Sequence, residues 1–210
     1  MVRKQIFSVL SAVVLFFGAF AYGAGGSENI EYETKADYLC NLLYFTKWPD
    51  MESEKKDGAS EIGDFCIGIV GEDPFGESFS DFEGKCIDFL NKRISVKKYG
   101  VFKKGMDLSQ CRVLFLCKSE EDNFEAIIGQ LKGSRTLTVA DSPGFLEDGG
   151  MINFVEVGGK FRFGINCGAV KKSGIVLSSQ ILRNAVKSLH CEKMLPAEKV
   201  KKLRNEILQF

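Results

Sequence analysis

The sequence predicts an α/β fold: a three-layer sandwich with a mostly parallel sheet, an antiparallel C-terminal hairpin and flanking helices. Three observations carry that expectation. Short apolar runs at 65–70, 112–117 and 136–140 have strand length, and the second is almost uniformly hydrophobic, as a central strand covered on both faces should be. Helical patterns alternate with these runs, the arrangement that feeds a parallel sheet. Residues 151–157 and 160–165 flank Gly158-Gly159, a pair that suits the primed turns of a hairpin.

In chain order, residues 28–47 form the first predicted helix. Tyr32, Ala36, Leu39 and Leu43 make one apolar stripe, and Tyr38, Leu42 and Phe45 make a second. A helix apolar on two sides is deeply buried or covered by a partner. Trp48-Pro49 stops it, because proline disfavours helical geometry in the residue before it. Residues 50–63 are charged and small, and read as a solvated loop. After the first strand, Asp73-Pro74 supplies a cap and first-turn pair for a helix to about residue 82. Residues 94–99 alternate like a half-buried strand, and residues 121–131 are helical.

Two helices are expected at the end, 178–189 and 197–208. Ile181, Leu182, Ala185, Val186 and Leu189 give the first an intramolecular packing stripe. Val200, Leu203, Ile207 and Phe210 give the second a stripe that is a candidate for dimer or partner contact.

The first residues have the pattern of an export signal. Arg3 and Lys4 precede an apolar run at 6–20, and Ala21-Tyr22-Gly23 offers small residues where a signal peptidase reads. Residues 1–23 are therefore read as a cleaved signal peptide, 24–190 as the α/β domain and 191–210 as a C-terminal helical extension. The apolar run falls short of the ~20 residues of a spanning helix, so the expected product is periplasmic, without direct membrane insertion after cleavage. Formal net charge is zero for the whole chain, and no basic block appears. That balance argues against a nucleic-acid groove.

Seven cysteines lie beyond the signal: Cys40, Cys66, Cys86, Cys111, Cys117, Cys167 and Cys191. In an oxidising compartment disulfides are the default. No CxxC occurs and His190 is the sole histidine, so no metal site is expected. Cys66 and Cys111 begin the first and third long strands, which are neighbours in common doubly wound orders, and they are the expected bridge. Two buried thiols are the alternative. Such a bridge would stabilise by about 4 kcal/mol in the chain-entropy model. Cys111 and Cys117 cannot pair within one strand, being six steps or about 20 Å apart. Cys167 is a candidate for a second bridge, and the odd count leaves at least one thiol unpaired within the chain.

No catalytic constellation emerges, and no cofactor is expected. Gly71-Glu72-Asp73-Pro74-Phe75-Gly76 follows a strand where phosphate loops sit, but it lacks the Gly-Lys-Ser/Thr ending and carries two acids. Gly76-Glu77-Ser78-Phe79-Ser80 lacks the second glycine of a nucleophile elbow. Asp141, Glu147 and Asp148 lack the ligand spacing of an EF-hand, which leaves a solvated turn. Phe145, after Pro143-Gly144, is either tucked into the core or offered to a partner, and it is a candidate partner contact.

The stretch from Asp141-Ser142-Pro143-Gly144-Phe145 to Gly149-Gly150-Met151-Ile152-Asn153-Phe154 closely resembles a loop of the YfiR/HmsC-like family. The helix ending in Phe45-Thr46-Lys47-Trp48-Pro49 is similar to that family's N-terminal helix. Cys66-Ile67-Gly68-Ile69-Val70-Gly71, Cys111-Arg112-Val113-Leu114-Phe115-Leu116 and Phe161-Arg162-Phe163-Gly164-Ile165-Asn166 resemble its strands. The resemblance implies an exported, usually dimeric α/β protein without catalytic activity, and it points to the same Cys66–Cys111 bridge. Known family members bind the periplasmic part of an inner-membrane diguanylate cyclase and lower cyclic di-GMP output, restraining biofilm formation. The expected function is repression of such a cyclase by protein contact. The alternative is a periplasmic small-ligand-binding protein serving a sensor kinase or transporter, with its ligand near Gly71, Lys118 and Asp141 at the carboxyl ends of the strands.

Overall fold

A computed structural model of the chain describes residues 27–48, 63–87 and 92–189. The signal peptide, the 50–62 part of the predicted loop and the 191–210 extension with Val200, Leu203, Ile207 and Phe210 lie outside the described residues. The elements are α1 (Ser27–Tyr44), β1 (Thr46–Lys47), β2 (Gly63–Val70), β3 (Cys86–Ile87), β4 (Lys92–Gly100) and β5 (Val113–Leu116). A 3₁₀ turn (Lys118–Asn123) leads into α2 (Phe124–Gln130), followed by β6 (Leu137–Ala140), β7 (Ile152–Val157), β8 (Lys160–Asn166) and α3 (Cys167–Ser173). The described chain closes with β9 (Val176–Leu177), α4 (Ser179–Asn184) and β10 (Ala185–Leu189).

An eight-stranded sheet runs in the order β10-β8-β7-β6-β5-β2-β4-β3, and β1 pairs with β9 in a separate two-stranded sheet. Pairing is parallel throughout the large sheet except at β7–β8 and β3–β4. The two faces follow from alternation along the strands. Phe65, Ile67 and Ile69 of β2 join Val113 and Phe115 of β5 in one core, with Leu39 and Leu43 of α1, Val170 of α3 and Ile181 of α4. Val70, Leu114 and Leu116 face the other way, onto Phe124 and Ile127 of α2 and Leu108. The result is a three-layer α/β sandwich. Both stripes of α1 find cover within the chain: Leu42 is buried, and Tyr38 packs between Phe154 and Phe163 at 5.9 and 5.7 Å. No helix among the described residues is long and apolar enough to cross a membrane.

Three predicted elements are corrected. Residues 73–82 form successive turns rather than a helix, with Ser78 N donating to Phe75 O and Phe82 N to Phe79 O. Asp73 Oδ1 accepts from Phe75 N at 2.9 Å, an Asx turn, and Gly76 at φ 52° breaks the helical path. The 121–131 helix begins as a 3₁₀ turn with Glu120 off helical geometry. The 178–189 helix stops at Asn184, and Ala185 (φ −74°, ψ 130°) opens β10, parallel to β8. There the backbone completes the sheet ladder, and edge pairing overrides the helical pattern.

Sequence reading missed α3, although its signals were present. Asn166 caps it, its Oδ1 accepting from Ala169 N at 3.0 Å, and Gly174 at φ 77° ends it. The Gly158-Gly159 hairpin forms as expected, both glycines having positive φ.

Candidate functional site

The chain leaves β2 for β4 on one side and returns to β5 on the other, so the sheet reverses its order between β2 and β5. In open α/β sheets the crevice beyond the strand ends at such a point is where ligands bind. Here the chain's own side chains fill that position. Phe75 stacks edge-to-face on Phe115 at 4.9 Å, and Tyr32 of α1 stacks on Phe75 at 5.2 Å. Tyr32 Oη donates to Asp141 Oδ2 at 3.3 Å. Lys35, buried at 3 % exposure, ion-pairs with both Asp141 and Glu31. Its Nζ lies 4.4 Å from the Tyr32 ring and 5.3 Å from the Phe161 ring. Burial and the neighbouring Asp141 and Glu31 carboxylates push the Tyr32 hydroxyl well above the ordinary phenol range.

The β2–β5 side of the crevice is closed as tightly. Gly71 has φ 107°, and a Cβ there would lie 2.5 Å from Ser119 Oγ and 2.8 Å from Cys117 Cβ. Glu72 N donates to Ser119 Oγ at 2.8 Å. Glu120, 1 % exposed, accepts from Phe102 N at 3.0 Å and Asn123 Nδ2 at 2.8 Å. Of the three residues expected at a ligand mouth, Gly71 is packed shut, Asp141 is paired, and Lys118 faces solvent. Burial, with Asp73 and Asp141 nearby, pushes the Cys117 thiol up to about 12. Among the described residues no cluster of His, Cys, Asp and Glu could hold a metal ion.

The loop after β6 also turns inward. Gly144 at φ 84° reverses the chain, and Phe145 drops into the second core, edge-to-face on Phe124 at 4.9 Å. A Cβ at Gly150 would overlap the Phe145 ring. Gly150 N donates to Phe145 O at 2.9 Å, and Asn166 Nδ2 donates to Leu146 O at 2.9 Å. Phe145, expected as a possible partner anchor, is fully buried and cannot present its ring to solvent. Pro143, Gly144, Glu147 and Asp148 form the outward side of this loop.

Cys66, on β2, lies beside Cys111, which sits just ahead of the neighbouring strand β5. Arg112 N donates to Cys66 O at 2.9 Å, and both cysteines are free thiols. Tyr99 Oη lies 3.4 Å from Cys111 Sγ. Gly68 makes room: a Cβ there would lie 2.9 Å from Cys111 Sγ and 2.5 Å from Leu114 Cδ1. The hydrogen bond to Cys111, then burial, raise the Cys66 thiol far above its usual range. Hydrogen bonds to Cys66 and Tyr99 hold Cys111 below that range against its own burial. Cys40, Cys86 and Cys117 are also free, whereas Cys167 is disulfide-bonded.

Sequence motifs and fold converge with the comparison to known families, which matches residues 32–186. The chain belongs to the YfiR/HmsC-like family. No curated protein matches it significantly. The family match spans every element from α1 to the start of β10 and includes both filled crevice walls. Tyr32, Lys35 and Tyr99 were missed as site residues. Lys35 carried a signal, a lone cation set among the apolar positions of α1 beside Tyr32 and Leu39, but its partner Asp141 is distant in sequence.

Proposed function

We propose that this chain is a periplasmic regulatory binding protein that represses a membrane-bound diguanylate cyclase by contact with the cyclase's periplasmic part, lowering cyclic di-GMP signalling. Membership of the YfiR/HmsC-like family over residues 32–186 is the observation that carries this reading. The filled crevice supports it over small-ligand binding, since Tyr32, Phe75 and Lys35 occupy the place a ligand would take. Repression works by favouring one conformation of the cyclase, and its strength is limited by the difference in affinity between the cyclase's states.

The protein acts as a homodimer in this reading, with Val200, Leu203, Ile207 and Phe210 as candidate contacts for a second copy or for the cyclase. Cys66 and Cys111 form a bridge in the exported, oxidised protein. The backbone bond from Arg112 N to Cys66 O, which sets Cys111 beside β2 just ahead of β5, supports that pairing. The test is direct binding between the purified mature protein and the soluble periplasmic part of a diguanylate cyclase encoded beside its gene. Saturable binding supports the proposal, and no binding by either the oxidised or the reduced protein at high micromolar concentration overturns it.

A further inference from the structure

We infer that the Cys66–Cys111 bridge opens from one side: an incoming thiolate attacks the Cys66 sulfur, and Cys111 departs as a thiolate received by the Tyr99 hydroxyl. This rests on the reading that the pair is oxidised in the exported protein. Access sets the direction of attack. Cys66 is half-buried, whereas Cys111 is wholly buried beneath Tyr99 and the Gly68 backbone. Exchange is faster when the departing sulfur is the better-stabilised thiolate, and the surroundings of Cys111 provide that stabilisation.

Tyr99 is placed to respond to the change. Its hydroxyl has one proton, which it donates to Asp107 O at 3.2 Å while its oxygen lies 3.4 Å from Cys111 Sγ. When Cys111 becomes a thiolate, rotation of the hydroxyl turns that proton onto the sulfur. Lys97 Nζ, 4.7 Å from the Tyr99 ring centroid, adds positive potential, and the Asp107 carboxylate opposes it.

The chemistry balances with a dithiol as reductant. One dithiol thiolate forms a mixed disulfide with Cys66 and expels Cys111 as a thiolate. The second dithiol thiolate then attacks the reductant sulfur of that mixed disulfide, releasing Cys66 and closing a cyclic disulfide. Two electrons pass from the dithiol to the protein, and Cys66 takes up a proton. Tyr99 is a positioning residue in this scheme, since it acts on the leaving sulfur without exchanging bonds.

Peptide mapping of unreduced protein isolated from the periplasm first establishes whether Cys66 and Cys111 are bridged; free thiols at both would overturn the underlying reading. With the bridge present, brief treatment with 2-mercaptoethanol followed by acid quench and alkylation should leave the mercaptoethanol on Cys66 and the alkyl group on Cys111. The reverse distribution would overturn the inference alone. Tyr99→Phe, which keeps the ring over Gly68, should slow opening by dithiothreitol on the order of tenfold. In the reduced variant the ultraviolet thiolate absorbance should appear at higher pH than in wild type. A wild-type opening rate and an unmoved titration in Tyr99→Phe would also overturn it.

Discussion

Lys35 and Asp141 stand 106 positions apart in sequence, yet Lys35 Nζ lies 2.5 Å from Asp141 Oδ2 with the lysine side chain only 3 % exposed. The pair fastens the middle of α1 to the carboxyl end of β6, across the place where this fold class binds ligands. Breaking a buried ion pair from one side leaves an uncompensated charge, which costs more than the intact pair contributes. Lys35→Met should therefore destabilise by about 3 kcal/mol, read as a lower urea midpoint. Adding Asp141→Asn should recover part of that loss. A Lys35→Met protein as stable as wild type would show that the pair does not fasten α1.

Phe145 leads to a second expectation, opposite to that for a surface anchor. Its ring is fully buried against Phe124 and Gly150. Phe145→Ala should lower stability by about 3–5 kcal/mol, and any loss of repression should follow the loss of folded protein. Asp148→Lys, on the outward side of the same loop, should leave the urea midpoint nearly unchanged. An equally stable Phe145→Ala protein would contradict the packing described for this loop.

Asp37 gives a prediction about pH. Its side chain stays largely exposed, yet partial desolvation, then repulsion from Glu33 one turn earlier on α1, raise its carboxyl above the ordinary range. The folded state therefore holds this proton more tightly than the unfolded chain does. Folded stability is favoured below the carboxylate range and declines as pH rises through it. Asp37→Asn should be slightly more stable than wild type at neutral pH, by up to about 0.5 kcal/mol, with the difference fading below about pH 4. Thermal unfolding across that interval checks it, and a variant less stable than wild type at neutral pH would contradict it.

Strand periods made most of the sheet legible before any coordinates. Phe65, Ile67 and Ile69 alternate with Cys66, Gly68 and Val70, and Gly158-Gly159 marked the hairpin. The neighbour relation of β2 and β5, which brings Cys66 to Cys111, also followed from the strand succession. Less legible was what depends on distant partners. Ala185 to Leu189 carried a helical stripe, but β8 offered an edge to pair with, and local pattern could not register that edge. Phe145 could not be placed inward from its neighbours alone, because the deciding space is at Gly150 and Phe124. The closed crevice was hidden for the same reason: Tyr32 and Lys35 read as ordinary helix positions until β6 brings Asp141 beneath them.

The central claim is best tested by measuring cyclic di-GMP in wild type, in a strain lacking this gene and in a strain lacking both this gene and the cognate cyclase. Repression by protein contact predicts that the single deletion raises cyclic di-GMP and surface attachment, and that removing the cyclase as well abolishes the rise. Equal levels in all three strains, with both proteins expressed in the wild type, would contradict it.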